Sequence, residues 1–174
     1  QIATPGALLL EQDRDKLLNF ISHVRLLFHL NPSFNLSAFG SYSYNSTGNA
    51  QYLPTWIWAQ GQAYRSETKS EDWLASVEAT WNHSYGVTKQ NHLTGTLLAE
   101  YQKRTMRRFF TTAKGFKLNQ HGYDNLAAGS ILPYGGTGSN FENPALASLM
   151  GQVEYRYADA VTFTANARAD GSSM

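Results

Sequence analysis

The chain has 174 residues, enough for one domain with a sizeable core, and its 10 Tyr, 9 Phe, 4 Trp and 14 Gly beside many Ser, Thr and Asn favour β structure. A formal net charge of +1 argues against nucleic acid as a partner, since its phosphates demand a basic stripe. The absence of Cys excludes disulfides, thiolate zinc sites and thiol catalysis.

From the start of the chain, the longest apolar run is ALLL at residues 7–10, far short of a membrane-spanning helix. No charged n-region and apolar core follow Gln1, so no signal peptide is read. The chain is therefore expected to be the interior of something longer rather than a cytosolic protein. The first strand is LLNFISHVRLLFHL. Leu18, Phe20, Val24, Leu26, Phe28 and Leu30 share one face, while Asn19, His23, Arg25 and His29 share the other, with Ile21 and Leu27 as exceptions. Successive side chains on a strand point to opposite faces, so period two means strand; a helix would scatter these apolar positions around its axis. NPS, residues 31–33, breaks the ladder, because Pro has no N–H to give.

FNLSAFGSYSY follows, with Phe34, Leu36, Ala38, Gly40, Tyr42 and Tyr44 opposing Asn35, Ser37, Ser41 and Ser43. A long connection of roughly residues 45–69 is expected next. The third strand sets Trp73, Ala75, Val77, Ala79, Trp81 and Tyr85 against Ser76, Glu78, Thr80 and Asn82. After GVTKQN, residues 86–91, the fourth sets Leu93, Leu97, Ala99 and Tyr101 against His92, Thr94, Thr96, Glu100 and Gln102. A second long connection, roughly residues 103–147, leads to the fifth strand. There Leu149, Val153, Tyr155 and Tyr157 oppose Ser148, Gln152, Glu154 and Arg156. ADA, residues 158–160, turns into the sixth, where Val161, Phe163, Ala165, Ala167 and Ala169 alternate with Thr162, Thr164, Asn166, Arg168 and Asp170.

Six antiparallel strands joined by short and long connections in alternation match a transmembrane β-barrel, with tight periplasmic turns and long extracellular loops. Each strand has about ten alternating residues, the length a tilted strand needs to cross a bilayer. Phe28, Phe34, Tyr42, Tyr44, Trp73, Tyr85, Tyr101, Tyr155 and Tyr157 gather near strand ends, as in an aromatic girdle. A soluble β-sandwich also alternates. Two features favour the barrel. The polar face carries His23, Arg25, Glu78, Glu100, Glu154 and Arg168 near mid-strand, as a water-filled lumen allows. The apolar face carries Gly40, Gly95 and Gly151, which would underfill a sandwich core. Ala79 and Ala165 are expected to face lipid, Thr80 and Asn166 the lumen. A sandwich would instead bury Val77, Ala79, Val153 and Phe163.

Catalytic chemistry finds little support. His23, His29, His83, His92 and His121 lack zinc spacing, and no cofactor or metal is expected. DRD at residues 13–15 and Glu71-Asp72 read as solvated loop charges rather than acid–base pairs. YGGTGS, residues 134–139, has no following helix to bind an anion and reads as a flexible loop. The basic group Lys103, Arg104, Arg107, Arg108, Lys114 and Lys117 reads first as a solvated face, and second as an attractor of lipopolysaccharide phosphates or another anion. Tyr52, Trp56, Trp58 and Tyr64 in the first long loop, with Tyr123 in the second, are the candidate ligand-binding aromatics. Stacking on a substrate and packing against the chain's own loops are equally open for them.

The segment YRYADAVTFTANARADGSSM resembles the signature hairpin of SusC/RagA-like TonB-dependent outer-membrane transporters. Tyr155, Tyr157, Asp159, Thr164, Ala165, Arg168, Asp170, Gly171, Ser172 and Ser173 carry the match. GYDNLAAGS at residues 122–130 resembles the family's preceding long-loop segment, and DWL at residues 72–74 its strand starts. Ala160 departs from the pattern, standing where Arg is common. The resemblance implies an all-β segment of barrel wall over residues 1–174, from a barrel of the 22-stranded class, with no plug domain in it. It also implies a bacterial outer-membrane importer of glycans or oligopeptides, energised through the TonB complex and lidded by a SusD-like surface lipoprotein. No enzymatic activity is implied. Two other readings stand beside it: a soluble carbohydrate-binding β-sandwich using the loop tryptophans, and a small outer-membrane barrel serving as adhesin or stability element.

Overall fold

The computed structural model describes residues 6, 11–88, 90–120, 122–158 and 160–173. Gln1, residues 7–10, Lys89, His121, Asp159 and Met174, which figure in the reading above, lie outside them. The strands are β1 Gln12–Asn31, β2 Phe34–Leu53, β3 Gln62–Tyr85, β4 Asn91–Phe116, β5 Gly129–Ile131, β6 Thr137–Glu142, β7 Ala145–Tyr157 and β8 Val161–Ser173. Two single 3-10 turns, Gly122–Asp124 and Leu126–Ala128, lie between β4 and β5. Among the described residues all the strands belong to one sheet of order β1-β2-β3-β4-β7-β8, with β5 and β6 also paired to β4. β1 and β8 end that order.

The six expected strands are all present, in sequential order, and the tight turns fall where Pro32, Gly86 and Ala158 put them. At the first, the Ser33 amide donates to Asn31 Oδ1 at 2.9 Å. At the second, Gly86 takes φ +100°, which a side chain would resist. The long connections are shorter than expected. β2 continues to Leu53 and β3 resumes at Gln62, leaving only residues 54–61 outside strands. β4 runs 26 residues, about 86 Å at strand rise, far beyond what a bilayer requires. The continuations escaped the reading because a strand with water on both faces needs no apolar period. NSTGNAQYL still pairs through its backbone, and Pro54, lacking an N–H, stops it.

The chain divides into two compact units. The second comprises Ile21–Ser43, Asp72–Arg104 and Asn143–Met174. Its register fixes its faces. Gly95 pairs with Val153 and Val153 with Ala165; Leu97 pairs with Gly151 and Gly151 with Ala167. The rows between them read Thr96–Gln152–Asn166 and Thr94–Glu154–Thr164. Directly opposed residues share a face, so one side is apolar and the other polar, with Leu98 and Met150 as apolar intrusions beside Arg168.

Among the described residues no layer covers the apolar side. Leu26, Val77, Leu97, Val153 and Phe163 are exposed by 51, 47, 53, 51 and 66%. Gly40 and Gly151 have nothing within 4 Å of where a Cβ would stand. Together with Ala79, Ala165 and Ala167, Gly151 belongs to a shallow apolar depression of about 700 Å³ beside Trp81 and Val153. Uncovered Val77, Val153 and Phe163 are the opposite of a sandwich core. Large exposed apolar surfaces of this kind are tolerated where the solvent is lipid.

Aromatics border this surface in two rows. Trp81, His83 and Tyr85 stack at centroid separations of 5.6 and 5.8 Å, and Tyr42 lies 4.5 Å from Trp73. Trp73 to His83 covers about 33 Å of strand, or about 25 Å of height at the usual barrel tilt, which is the apolar band of an outer-membrane barrel. Trp73 lies within the longer β3 rather than at its end.

The first unit comprises Gln1–Phe20, Tyr44–Glu71 and Thr105–Glu142. It holds the buried apolar cluster of the described residues: Tyr52, Ala63, Ala113 and Phe116, with Tyr123 and Leu126 packed against it. Gly115 makes this possible at φ +77°, where an added Cβ would run into Ser130 Oγ. That backbone lets both Gly115 and Phe116 donate their amides to the Gln60 carbonyl, at 2.8 and 2.9 Å.

Candidate functional site

Two surfaces could meet a solute. One is the polar face of the second unit, where charged and amide side chains bond to one another rather than stand alone. Arg168 donates through Nε to both Asp170 oxygens at 2.8 and 3.0 Å, and through Nη2 to Ser148 Oγ at 3.2 Å. Arg104 pairs with Asp72. Thr94 donates to Asn82 Oδ1 at 2.9 Å, and Gln102 to Glu100 Oε1 at 2.8 Å. Arg25 lies over the Phe39 ring at 5.5 Å, and with Asn35, Ser37, Glu78 and Thr80 it lines a small recess of about 210 Å³. The arrangement is a polar wall on which Arg104 with Asp72, and Arg168 with Asp170, are held in ion pairs.

The other surface is the loop region of the first unit, where the candidate aromatics divide. Tyr52 lies on β2 and Tyr64 on β3 rather than in a loop. Tyr52 is 1% exposed, with its ring edge-on to Phe116 at 5.4 Å. Its hydroxyl donates to Asn119 Oδ1 at 2.6 Å. Asn119 also takes the Thr55 amide at 3.2 Å and gives its own N–H to Thr55 Oγ1 at 3.0 Å. Burial pushes the Tyr52 phenol above its ordinary pKa, so it stays a donor at any physiological pH. Tyr52 therefore takes the packing role, and its face is not offered to a ligand.

Trp56 and Trp58 sit in the turn after Pro54, whose carbonyl accepts the Ile57 and Trp58 amides at 2.9 and 3.0 Å. They are 49 and 50% exposed. Tyr64 is half-buried. Tyr123 lines a cavity of about 850 Å³ with Arg14, Asn49, Arg65, Glu67 and Asp124, among others. Within it Asn49 bridges strands, donating to Asp15 at 2.6 Å and accepting from Ser66 at 3.3 Å. The cavity thus gathers Tyr123 but not the two tryptophans. Its polar members were missed because Arg14, Asn49 and Arg65 lie far apart in sequence and belong to no motif; only strand pairing brings them together. Glu67, at the cavity's lining, also pairs with Lys69 at 2.9 Å, and that hydrogen bond raises the pKa of the ammonium, keeping it charged.

No protein-family model matches the chain. Among curated proteins, TonB-dependent receptor P3 of Formosa agariphila is 34% identical over 139 residues, 76% of this chain and 13% of that protein. Two solved structures share the fold. The RagAB peptide transporter superposes with a TM-score of 0.83 at 14% identity, over 97% of this chain and 19% of that one. The RagAB peptide importer in its closed-closed state superposes with a TM-score of 0.82 at 14% identity, over 95% and 18%. The chain therefore spans a small part of the length of each protein it matches.

Proposed function

Because this chain belongs to the TonB-dependent receptors, we propose that it forms part of the β-barrel wall of a SusC/RagA-like outer-membrane importer of large nutrients, glycans or oligopeptides. Residues 1–174 are in this reading wall alone, without a plug domain. The importer works with a SusD-like surface lipoprotein and draws energy from the TonB complex. Import breaks no covalent bond, so the protein is not an enzyme.

The observation that carries this reading is a single sheet with an uncovered apolar face, bordered by two aromatic rows, behind a hydrogen-bonded polar face. Trp56 and Trp58, exposed on the first unit, together with Tyr64 and Tyr123, are assigned to solute contact. Stacking on a sugar ring or an apolar peptide side chain suits them, since each ring offers a wide face at little entropic cost.

The test uses cells carrying the full-length receptor and fluorescent oligopeptides and oligosaccharides. Uptake is expected to disappear when the TonB complex is deleted. The double substitution Trp56→Ala/Trp58→Ala is expected to weaken apparent affinity about tenfold at an unchanged level of receptor in the membrane. Uptake that persists without the TonB complex would overturn the importer reading.

A further inference from the structure

The basic group around Arg107 is not among the residues assigned above to solute contact, and its surroundings on the first unit are unlike those of an ordinary solvated face. β4 pairs without slippage from Asn91↔Tyr157 to Thr111↔Thr137 through β7 and β6, so its odd-numbered positions keep one side throughout. That side carries Leu93, Leu97 and Tyr101, then Lys103, Thr105, Arg107 and Phe109. On β3 the corresponding side carries Trp73, then Glu71, Lys69 and Glu67 in the reverse direction.

Lys69, Glu67, Arg107, Phe109 and Phe141 line one recess of about 520 Å³. Arg107 pairs with Phe141 across β4 and β6, with its guanidinium 5.6 Å from the ring centroid. Phe109 and Phe141 are 48 and 59% exposed. Lys69 gives one hydrogen bond to Glu67 and keeps two N–H donors for another acceptor. Arg108 lines the recess as a third cation, and cations flanked by exposed rings match an amphiphile with an anionic head. A free small anion would use the cations and leave the rings idle.

We propose that this recess binds the phosphorylated headgroup of outer-leaflet lipopolysaccharide. Arg107 and Lys69 take the phosphate oxygens, and Phe109 and Phe141 pack on the glycolipid's sugars or the start of its acyl chains. The occupant follows from charge complementarity with Lys69 and Arg107 and from the exposed rings of Phe109 and Phe141 beside them. The inference rests on the membrane placement proposed above, which the site-directed spin labelling described below tests separately.

The experiment is native mass spectrometry and titration of the full-length receptor in detergent with purified diphosphoryl lipid A. Wild-type protein is expected to bind it. Lys69→Ala/Arg107→Ala is expected to bind about tenfold or more weakly, as loss of charge-assisted hydrogen bonds requires. Lys69→Arg/Arg107→Lys should retain binding, which separates lost charge from lost fold. Glu67→Gln, removing a competing carboxylate, should tighten it. Dephosphorylated lipid A should bind poorly, and millimolar inorganic phosphate should fail to displace the lipid. Equal binding by the alanine variant, or of the dephosphorylated lipid, would overturn the proposal. Displacement by inorganic phosphate would make the recess a small-anion site and overturn it as well.

Discussion

Ala165→Arg in the full-length receptor is expected to impair assembly into the outer membrane severely, whereas Asn166→Arg, one residue on, is expected to be tolerated. Ala165 stands in the row Gly95–Val153–Ala165 and helps line the uncovered apolar depression. A charge at a lipid-facing mid-strand position costs about 2–4 kcal/mol. Asn166 stands in the row Thr96–Gln152–Asn166, where a guanidinium meets hydrogen-bonding neighbours and water. Heat-modifiable migration of the folded barrel on gels, compared at matched expression, measures the difference. Equal tolerance of the two would mean that the faces are not divided between lipid and water.

Phe116→Ala has the second largest expected effect, and it is local. Phe116 is 5% exposed and closes the cluster of Tyr52, Ala63 and Ala113. Truncating a buried Phe costs about 3–5 kcal/mol through lost transfer energy and the cavity left behind. The barrel wall draws its stability from strand pairing and lipid, so the loss should fall on the segment packed there through Tyr123 and Leu126. Limited proteolysis of intact cells should then cut within residues 117–128 much faster than in wild type, while the strands remain resistant. Unchanged protection would mean that the cluster does not hold the loop.

How much of this was legible in the sequence depended on the solvent around each stretch. Where one face meets lipid and the other water, the two environments impose period two, and the six strands, their faces and their turns could be read directly. Pro32 and Gly86 mark turns because Pro lacks an N–H and Gly takes a positive φ without steric cost. Ala158, at φ +48°, carries no such sign, and that turn was inferred from the strands flanking it. Where both faces meet water the period disappears. The extensions of β2, β3 and β4 and the short β5 and β6 were therefore read as loop, and Tyr52 and Tyr64 were placed there with them.

The candidate site was less legible than the fold. Trp56 and Trp58 stand exposed, but nothing in their neighbourhood in sequence separates them from Tyr52, which the structure buries. The difference comes from Asn119 and Phe116, which reach Tyr52 only through long-range pairing of β4. The basic residues Lys103, Arg104, Arg107, Arg108, Lys114 and Lys117 looked like one group in sequence. Strand alternation divides them: Arg107 lies over Phe141 on one side of β4, and Arg104 pairs with Asp72 on the other.

The most direct measurement is a spin-label scan along β3, placing a nitroxide at each of residues 73–81 in the full-length receptor reconstituted in bilayers. The labels at Trp73, Ala75, Val77, Ala79 and Trp81 should be accessible to oxygen, which concentrates in lipid. Those at Leu74, Ser76, Glu78 and Thr80 should be accessible to a water-soluble nickel chelate, giving opposed profiles of period two. If the odd-numbered positions are shielded from both relaxants, they are covered by protein, and the sheet is not the wall of a membrane barrel.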